Sequence, residues 1–424
     1  MMRTLLILIV GLVTSFFLFP FNLPVGITVN TKMIVAVLGA VLFVWDKMKE
    51  GGPVVSRRFL IYILICATIS VWSYCVTVVS GTSDYVFVKY IVSVIVWLGA
   101  AYAVVWLIKA VHGRVTVELV GNYLIGVCTV QCLLAYLMTV FPGLEAFVDS
   151  LMGEGESFMG TADGRMHGLG AALDPAGLRF SAILLISSFL MAKLDYGQHP
   201  WQGVLYLMSF VIVSIIGNMI ARTTTVGFVL SVVLYVVLIW PRGNNLVVNW
   251  SWGIVGGGIL AAILVSVWLY NNVPTFRENI RFGFEGFFSL VEKGRWEVRS
   301  NDMLKGMIIW PESLKTWIIG DGYFDGPQDI PDRFGQIITG YYMKTDIGYL
   351  RYIFYFGSIG LVGMISAFVY LAVSCMKAHP EYRLLFLSFL IVNILGWLKV
   401  SSDIIMVFAP FFILACQAEN QPAE

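Results

Sequence analysis

Residues 86–108 read VFVKYIVSVIVWLGAAYAVVWLI, with one charge, Lys89, among 23 residues. As a helix rising about 1.5 Å per residue this stretch is about 34 Å long, enough for a hydrocarbon layer of about 30 Å. Lys89 falls about four residues from its start, where a lysine stem can snorkel to the interface. Runs of the same kind lie at 4–19, 28–45, 59–79, 118–141, 178–192, 202–220, 224–240, 251–270, 347–375, 384–398 and 403–416. The expected fold is therefore all-α: an integral membrane protein of about twelve transmembrane helices, forming one polytopic domain over 1–424.

Composition agrees. Hydrophobic residues make up 58% of the 424 and charged residues 12%, about half the roughly 25% charge of a soluble domain. A soluble enzyme and a disordered chain are excluded. The net charge of +1 gives no basic footprint, so nucleic acid is not a partner. Cys66, Cys75, Cys128, Cys132, Cys375 and Cys416 all lie in apolar runs, without metal spacing or a disulfide frame. The first run follows Arg3 like a signal peptide, yet Ser15-Phe16-Phe17-Leu18-Phe19-Pro20 offers no small-residue cleavage site, so an uncleaved span is expected.

Cation placement predicts orientation. With a cytoplasmic N-terminus, the inner segments carry Arg3, Lys47, Lys49, Arg57, Arg58, Lys109, Arg114, Lys193, Arg242, Lys377 and Arg383. The short outer turns carry only Arg222 and Lys399. Two long connections, 142–177 and 271–346, then face outward. In the second, Ile280, Phe284, Phe287, Phe288 and Val291 fall on one apolar helix face, which predicts a surface-lying amphipathic helix. A further helix is expected from Trp296 to Trp310, ending at Pro311, before the glycine-punctuated turn Gly320-Asp321-Gly322-Tyr323-Phe324-Asp325-Gly326.

Three polar clusters sit at outer ends of spans. The first is Asp163-Gly164-Arg165-Met166-His167-Gly168, continuing through Asp174-Pro175-Ala176-Gly177-Leu178-Arg179. It places Arg179 just inside a helix N-terminus, where a cation is unfavourable and an anion welcome; a snorkelling interfacial arginine is the ordinary alternative. The second, Ala221-Arg222-Thr223-Thr224-Thr225, is a two-span junction whose threonines are expected to cap the next helix and leave its first N–H groups beside Arg222. Guanidinium and helix N-terminus together suit a phosphate. The third is Lys344-Thr345-Asp346-Ile347-Gly348-Tyr349-Leu350-Arg351. Asp346 there is either an N-cap or a general base toward a hydroxyl, and Arg351 needs an acidic or phosphate partner if buried.

Four patches carry a likeness. Gly164-Arg165-Met166-His167-Gly168-Leu169 through Asp174-Pro175, the Ile220-Ala221-Arg222-Thr223-Thr224 turn, Gly294-Arg295-Trp296 with Trp317-Ile318-Ile319-Gly320-Asp321-Gly322, and Asp346-Ile347-Gly348-Tyr349-Leu350 with Gly357-Ser358-Ile359-Gly360-Leu361 stand in the order seen in the O-antigen polymerase/ligase superfamily of bacterial membrane glycosyltransferases (Wzy and WaaL type). The chain resembles that superfamily over roughly 60–400, and more closely the polymerases, since ligases typically place histidine where Asp346 stands.

The resemblance implies a GT-C-like bundle in the bacterial inner membrane with its active site toward the periplasm. It implies transfer of glycan from an undecaprenyl-diphosphate carrier, polymerising repeat units into O-antigen or a related surface polysaccharide, under the heading of lipopolysaccharide biosynthesis. Asp346 and His167 become the catalytic candidates, Arg165, Arg179, Arg222 and Arg351 the diphosphate-binding ones, and Arg295 and Asp321 the substrate-loop ones. No cofactor and no metal are expected, and a polysaccharide chain-length regulator is a candidate partner. The alternatives are a ligase transferring glycan to lipid A core, and a polysaccharide-unit flippase or other transporter.

Overall fold

The apolar runs fold as helices whose ends follow local chemistry. The computed structural model describes residues 2–24, 29–49, 55–153, 165–240, 246–326 and 340–419; Asp163 and Gly164 of the first polar cluster lie outside them. In chain order the helices are α1 (Met2–Leu18), α2 (Thr31–Lys49), α3 (Arg57–Ser80), α4 (Tyr90–His112), α5 (Val117–Val140), α6 (Pro142–Ser150), α7 (Leu173–Lys193), α8 (Pro200–Ile220) and α9 (Thr224–Ile239). They continue as α10 (Leu246–Asn272), α11 (Pro274–Gly283), α12 (Glu285–Lys293), α13 (Arg299–Gly306), α14 (Leu314–Ile318), α15 (Gly348–Ala378), α16 (Arg383–Gly396) and α17 (Ile405–Glu419). Of the described residues 78% are helical, and none lies in a strand.

Six of these, α3, α4, α5, α7, α8 and α15, are long and apolar enough to cross a bilayer. The outward faces support a membrane setting. Leu5, Leu8, Leu12, Val37, Val41, Leu64, Val71 and Val78 are all exposed on α1–α3, more large apolar side chains than soluble monomers ordinarily leave open to water. Lys89 is the residue immediately before α4, so it stands at an interface rather than mid-span.

α7 is the central strut. Every residue from Ala176 to Ala192 except Arg179 is buried, the pattern of a helix surrounded on all sides. The sequence reading began this helix at 178. It begins five residues earlier because Asp174 and Pro175 occupy its first turn, where proline lacks only an N–H that has no partner anyway and an acid suits the dipole. α2 and α4 approach closely where Gly39 meets Gly99: a Cβ on Gly39 would lie 1.8 Å from the Gly99 carbonyl oxygen. Small residues at such a crossing let backbones touch.

α15 is broken at Phe356 (φ −133°, ψ 16°) and Gly357 (φ 69°, ψ −174°). The carbonyls freed by the break find partners from elsewhere. Asp321 N–H donates to the Phe354 carbonyl (2.6 Å) and Gly322 N–H to the Tyr355 carbonyl (3.0 Å), while Trp72 Nε1–H donates to the Phe356 carbonyl (2.9 Å). Only glycine suits this backbone region, and a Cβ on Gly357 would sit 2.0 Å from the Ile318 carbonyl oxygen. Gly357→Ala is therefore expected to cost about 3 kcal/mol or more, read as a lower unfolding midpoint in detergent; an unchanged midpoint contradicts it.

The loop helices differ from expectation. The single amphipathic helix is two, α11 and α12, parted at Phe284 (φ −115°, ψ 30°). Gly283 lies against the backbone of Asn218, where a Cβ would meet atoms at 3.0 Å. The turn thus forms where the loop docks on the end of α8. The expected 296–310 helix is only Arg299–Gly306.

Candidate functional site

Arg351 sits in the first turn of α15, 5% exposed. Its guanidinium lies against the rings of Phe324 (3.6 Å) and Tyr341 (4.0 Å). It donates to Ser401 Oγ (2.8 Å), the Phe324 carbonyl (3.1 Å) and Asp325 Oδ1 (2.8 Å). One cation thereby joins α15, the large loop and the α16–α17 turn. The loop is fixed in its turn by Asp84, whose carboxylate accepts from Phe324 N–H at 2.7 Å.

Asp346 stands beside this cation, its carboxylate 3.8 Å from Arg351 Nη1. It does not cap α15; the capping position is Ile347, and no side chain caps there. Burial pushes the Asp346 carboxyl up to about 6; Arg351 works against that shift, Asp174 adds to it, and Lys399 again opposes it. Asp174 and Lys399 are themselves paired at 2.9 Å. The N-terminus of α7, the α16–α17 turn and the entrance of α15 therefore bring two carboxylates and two cations to one end of the bundle. A carboxylate held near 6 is ionised at neutral pH yet more basic than a solvated aspartate, which is what general-base work requires.

Arg222 is spoken for. Its Nη1 pairs with Glu285 at 2.7 Å and donates to Ser300 Oγ (3.1 Å), while Nε donates to the Phe282 carbonyl (3.0 Å). Arg165 and Arg222 lie over the same Phe282 ring, at 5.6 and 4.2 Å. Two cations are held near each other by a ring face that attracts both. The threonines do not open a helix N-terminus. Thr224 Oγ1 donates to the Gly217 carbonyl and Thr225 Oγ1 to Asn218 Oδ1, tying the turn back to α8. The first N–H groups of α9 are taken by Ala221, Arg222 and Thr223 carbonyls. The expected open cradle is closed because short-range backbone acceptors reach those donors first.

Arg179 stands apart, since α7 starts early and places it in the second turn. It lies over Phe19 at 5.6 Å, within electrostatic range of Lys32 and Asp403, and its buried Nε has no hydrogen-bond partner among the described residues. Among the described residues no contact joins it to the other three arginines. The structure therefore brings together Arg165 with Arg222, and Arg351 with Asp346. Asp174 is in range of both Arg222 and Asp346.

His167 is buried, with Nε2 3.0 Å from Asp149 Oδ1 and Nδ1 facing the Arg165 carbonyl, so its ring is turned to α6. Arg295 is exposed and paired with Glu297. Asp321 accepts from Lys315 Nζ (3.2 Å) and Thr316 Oγ1 (2.9 Å) and so braces α14 against the break in α15.

An apolar groove of about 800 Å³ runs between α8, α9, α10 and the loop helices, lined by Leu207, Phe210, Phe228, Ile263, Phe284 and Phe288. A polar cleft bordered by Arg281, Glu285, Glu297 and Arg299 shares Phe288 and Glu292 with it. Apolar and polar spaces thus adjoin next to Arg222.

Sequence reading missed Lys32, Asp325, Tyr341, Ser401 and Asp403 as neighbours of these groups. The available signal was the clustering of Lys399, Ser401 and Asp403 in a short turn between apolar runs. Comparison with protein-family models, curated proteins and solved structures gives no match.

Proposed function

We propose that the protein is a membrane glycosyltransferase that polymerises undecaprenyl-diphosphate-linked repeat units into a surface polysaccharide. In this reading the chain crosses the bacterial inner membrane about twelve times and the Asp346 end of the bundle faces the periplasm. The observation that carries it is the Asp346 carboxylate, held near 6 beside Arg351 and Lys399. The apolar groove and adjoining polar cleft support an amphiphilic substrate, with the Arg165–Arg222 pair at the headgroup level.

Asp346 accepts the proton of the acceptor hydroxyl. The acceptor oxygen bonds to the donor's anomeric carbon as the bond from that carbon to the diphosphate oxygen breaks, and diphosphate leaves on its lipid. Arg165 and Arg222 stabilise the charge developing there, with phosphate taking the place of Glu285 on Arg222. Each such contact is worth about 2.7–4 kcal/mol by analogy with oxyanion sites. The bilayer holds both substrates in one plane, which assists their approach.

The test is chain lengthening by purified protein in liposomes given lipid-linked repeat units, resolved on a gel. Lengthened glycans are expected. The base must be ionised, so the rate should rise with pH through about 6 rather than through the solvated aspartate range near 4. Absence of lengthening at every pH overturns the reading; transfer only to added lipid A core identifies a ligase.

A transporter is the second reading, favoured by the break in α15, since discontinuous helices form transporter sites. It predicts passage of lipid-linked units between leaflets with no change in glycan length.

A further inference from the structure

We infer that Glu145, Asp149 and His167 form a binding site for a divalent cation of the zinc type, joining α6 to the segment that carries Arg165.

Glu145 and Asp149 are four apart on α6, so they share one helix face. His167 reaches that face from the segment leading to α7. The ligating atoms of the three side chains all lie within 4.8 Å of one another. His167 is 3% exposed, and its ring is held from behind: Nδ1 lies 3.2 Å from the Arg165 carbonyl oxygen. The Arg165 carbonyl accepts from Nδ1–H, which leaves Nε2, 3.0 Å from Asp149 Oδ1, as the nitrogen a cation would take in place of its proton. A backbone carbonyl on the rear nitrogen is the usual means of fixing a metal-binding histidine's tautomer and direction.

Spacing points the same way. Two donors on one zinc ion, each at about 2.0–2.1 Å and separated by an angle between square and tetrahedral, stand about 2.8–3.4 Å apart. Nε2 and Asp149 Oδ1 are 3.0 Å apart. Glu145 closes the set by a side-chain rotation, being only partly buried on its helix. One imidazole with two carboxylates suits zinc or manganese, whereas calcium and magnesium favour all-oxygen sites.

The bound ion fixes the backbone at Arg165, whose carbonyl already holds the ring. It thereby steadies the Arg165 side chain over Phe282, beside Arg222. The site is tested apart from the proposed transferase activity, because it is read by metal binding alone.

The experiment uses full-length protein purified in detergent with a tag free of histidine, and stripped by chelator. It is titrated with zinc chloride in a calorimeter, and with cobalt(II) followed by its visible absorption. One equivalent is expected to bind, with zinc raising the unfolding midpoint and millimolar magnesium not competing. Glu145→Gln and Asp149→Asn should each weaken binding by at least about 10–100-fold. Glu145→Gln is a mild change on a partly exposed helix, so it keeps the test valid if Asp149→Asn folds poorly. No saturable binding means that His167 and Asp149 are a simple ion pair, and affinity unchanged in Glu145→Gln places any bound zinc elsewhere. Either result overturns the inference.

Discussion

Asp346→Asn is expected to abolish most chain lengthening, by about 10²–10⁴-fold, the usual contribution of a positioned base, without loss of fold. Its stability should depend on pH in a set direction. The Asp346 carboxyl rises from 3.8 to about 6 on folding, so ionisation disfavours the folded state. The wild type therefore keeps its full stability below about pH 4 and gives part of it up as pH rises through 6. The Asn variant carries no such charge. Its unfolding midpoint relative to wild type should climb between those two pH values and then level off. A variant that lengthens chains at the wild-type rate returns Asp346 to a structural role. A midpoint gap that is flat with pH contradicts the burial of its charge.

The second large effect is at Arg351. Arg351→Met removes the cation from between Asp325 and Asp346 and unties the large loop from α15. Because Asp346 is a quarter exposed and Lys399 stays nearby, the cost should fall below the roughly 3–5 kcal/mol of breaking a fully buried pair. It also removes the influence that lowers the Asp346 carboxyl, so any remaining activity should have its acid limb moved above 6. Arg351→Lys keeps the charge but not the planar face that lies on Phe324 and Tyr341, and should recover only part of the loss. Combining Arg351→Met with Asp346→Asn should cost less than the two changes added together, because the second removes the charge that the first exposes. Strict additivity would show that the two side chains do not interact.

Helix placement was legible because apolar runs of about 20 residues have few other folds available, and the ends of α3, α8 and α9 fall within a few residues of their runs. The start of α7 was misread because Asp174 and Pro175 resemble a loop yet are well suited to a first helical turn. That shift of five residues took Arg179 from a helix entrance to a buried second turn and separated it from Arg165. Arg222 stands at the junction of two helices, α8 and α9, as expected, but Glu285, Ser300 and the Phe282 carbonyl, its partners, come from 60 or more positions away. Such pairings leave no mark in local spacing. Asp346 was seen as cap or base; the structure removes the cap and leaves a partly buried carboxylate beside two cations, a matter of burial that composition does not record. The break in α15 fell on a glycine noted for its motif, not for its backbone angle.

The encasement of α7 bears on how the chain is made. It is the least apolar of the six long helices, it holds Arg179, and almost none of its surface is available to acyl chains. A segment of this kind gains little from partitioning into lipid alone, since an arginine in its second turn opposes entry. During synthesis α7 should therefore stay with the insertion machinery until α9, its closest packing partner, has emerged. Nascent chains halted just after residue 193 should remain extractable by alkali, whereas those extended past residue 240 should be held firmly in the membrane.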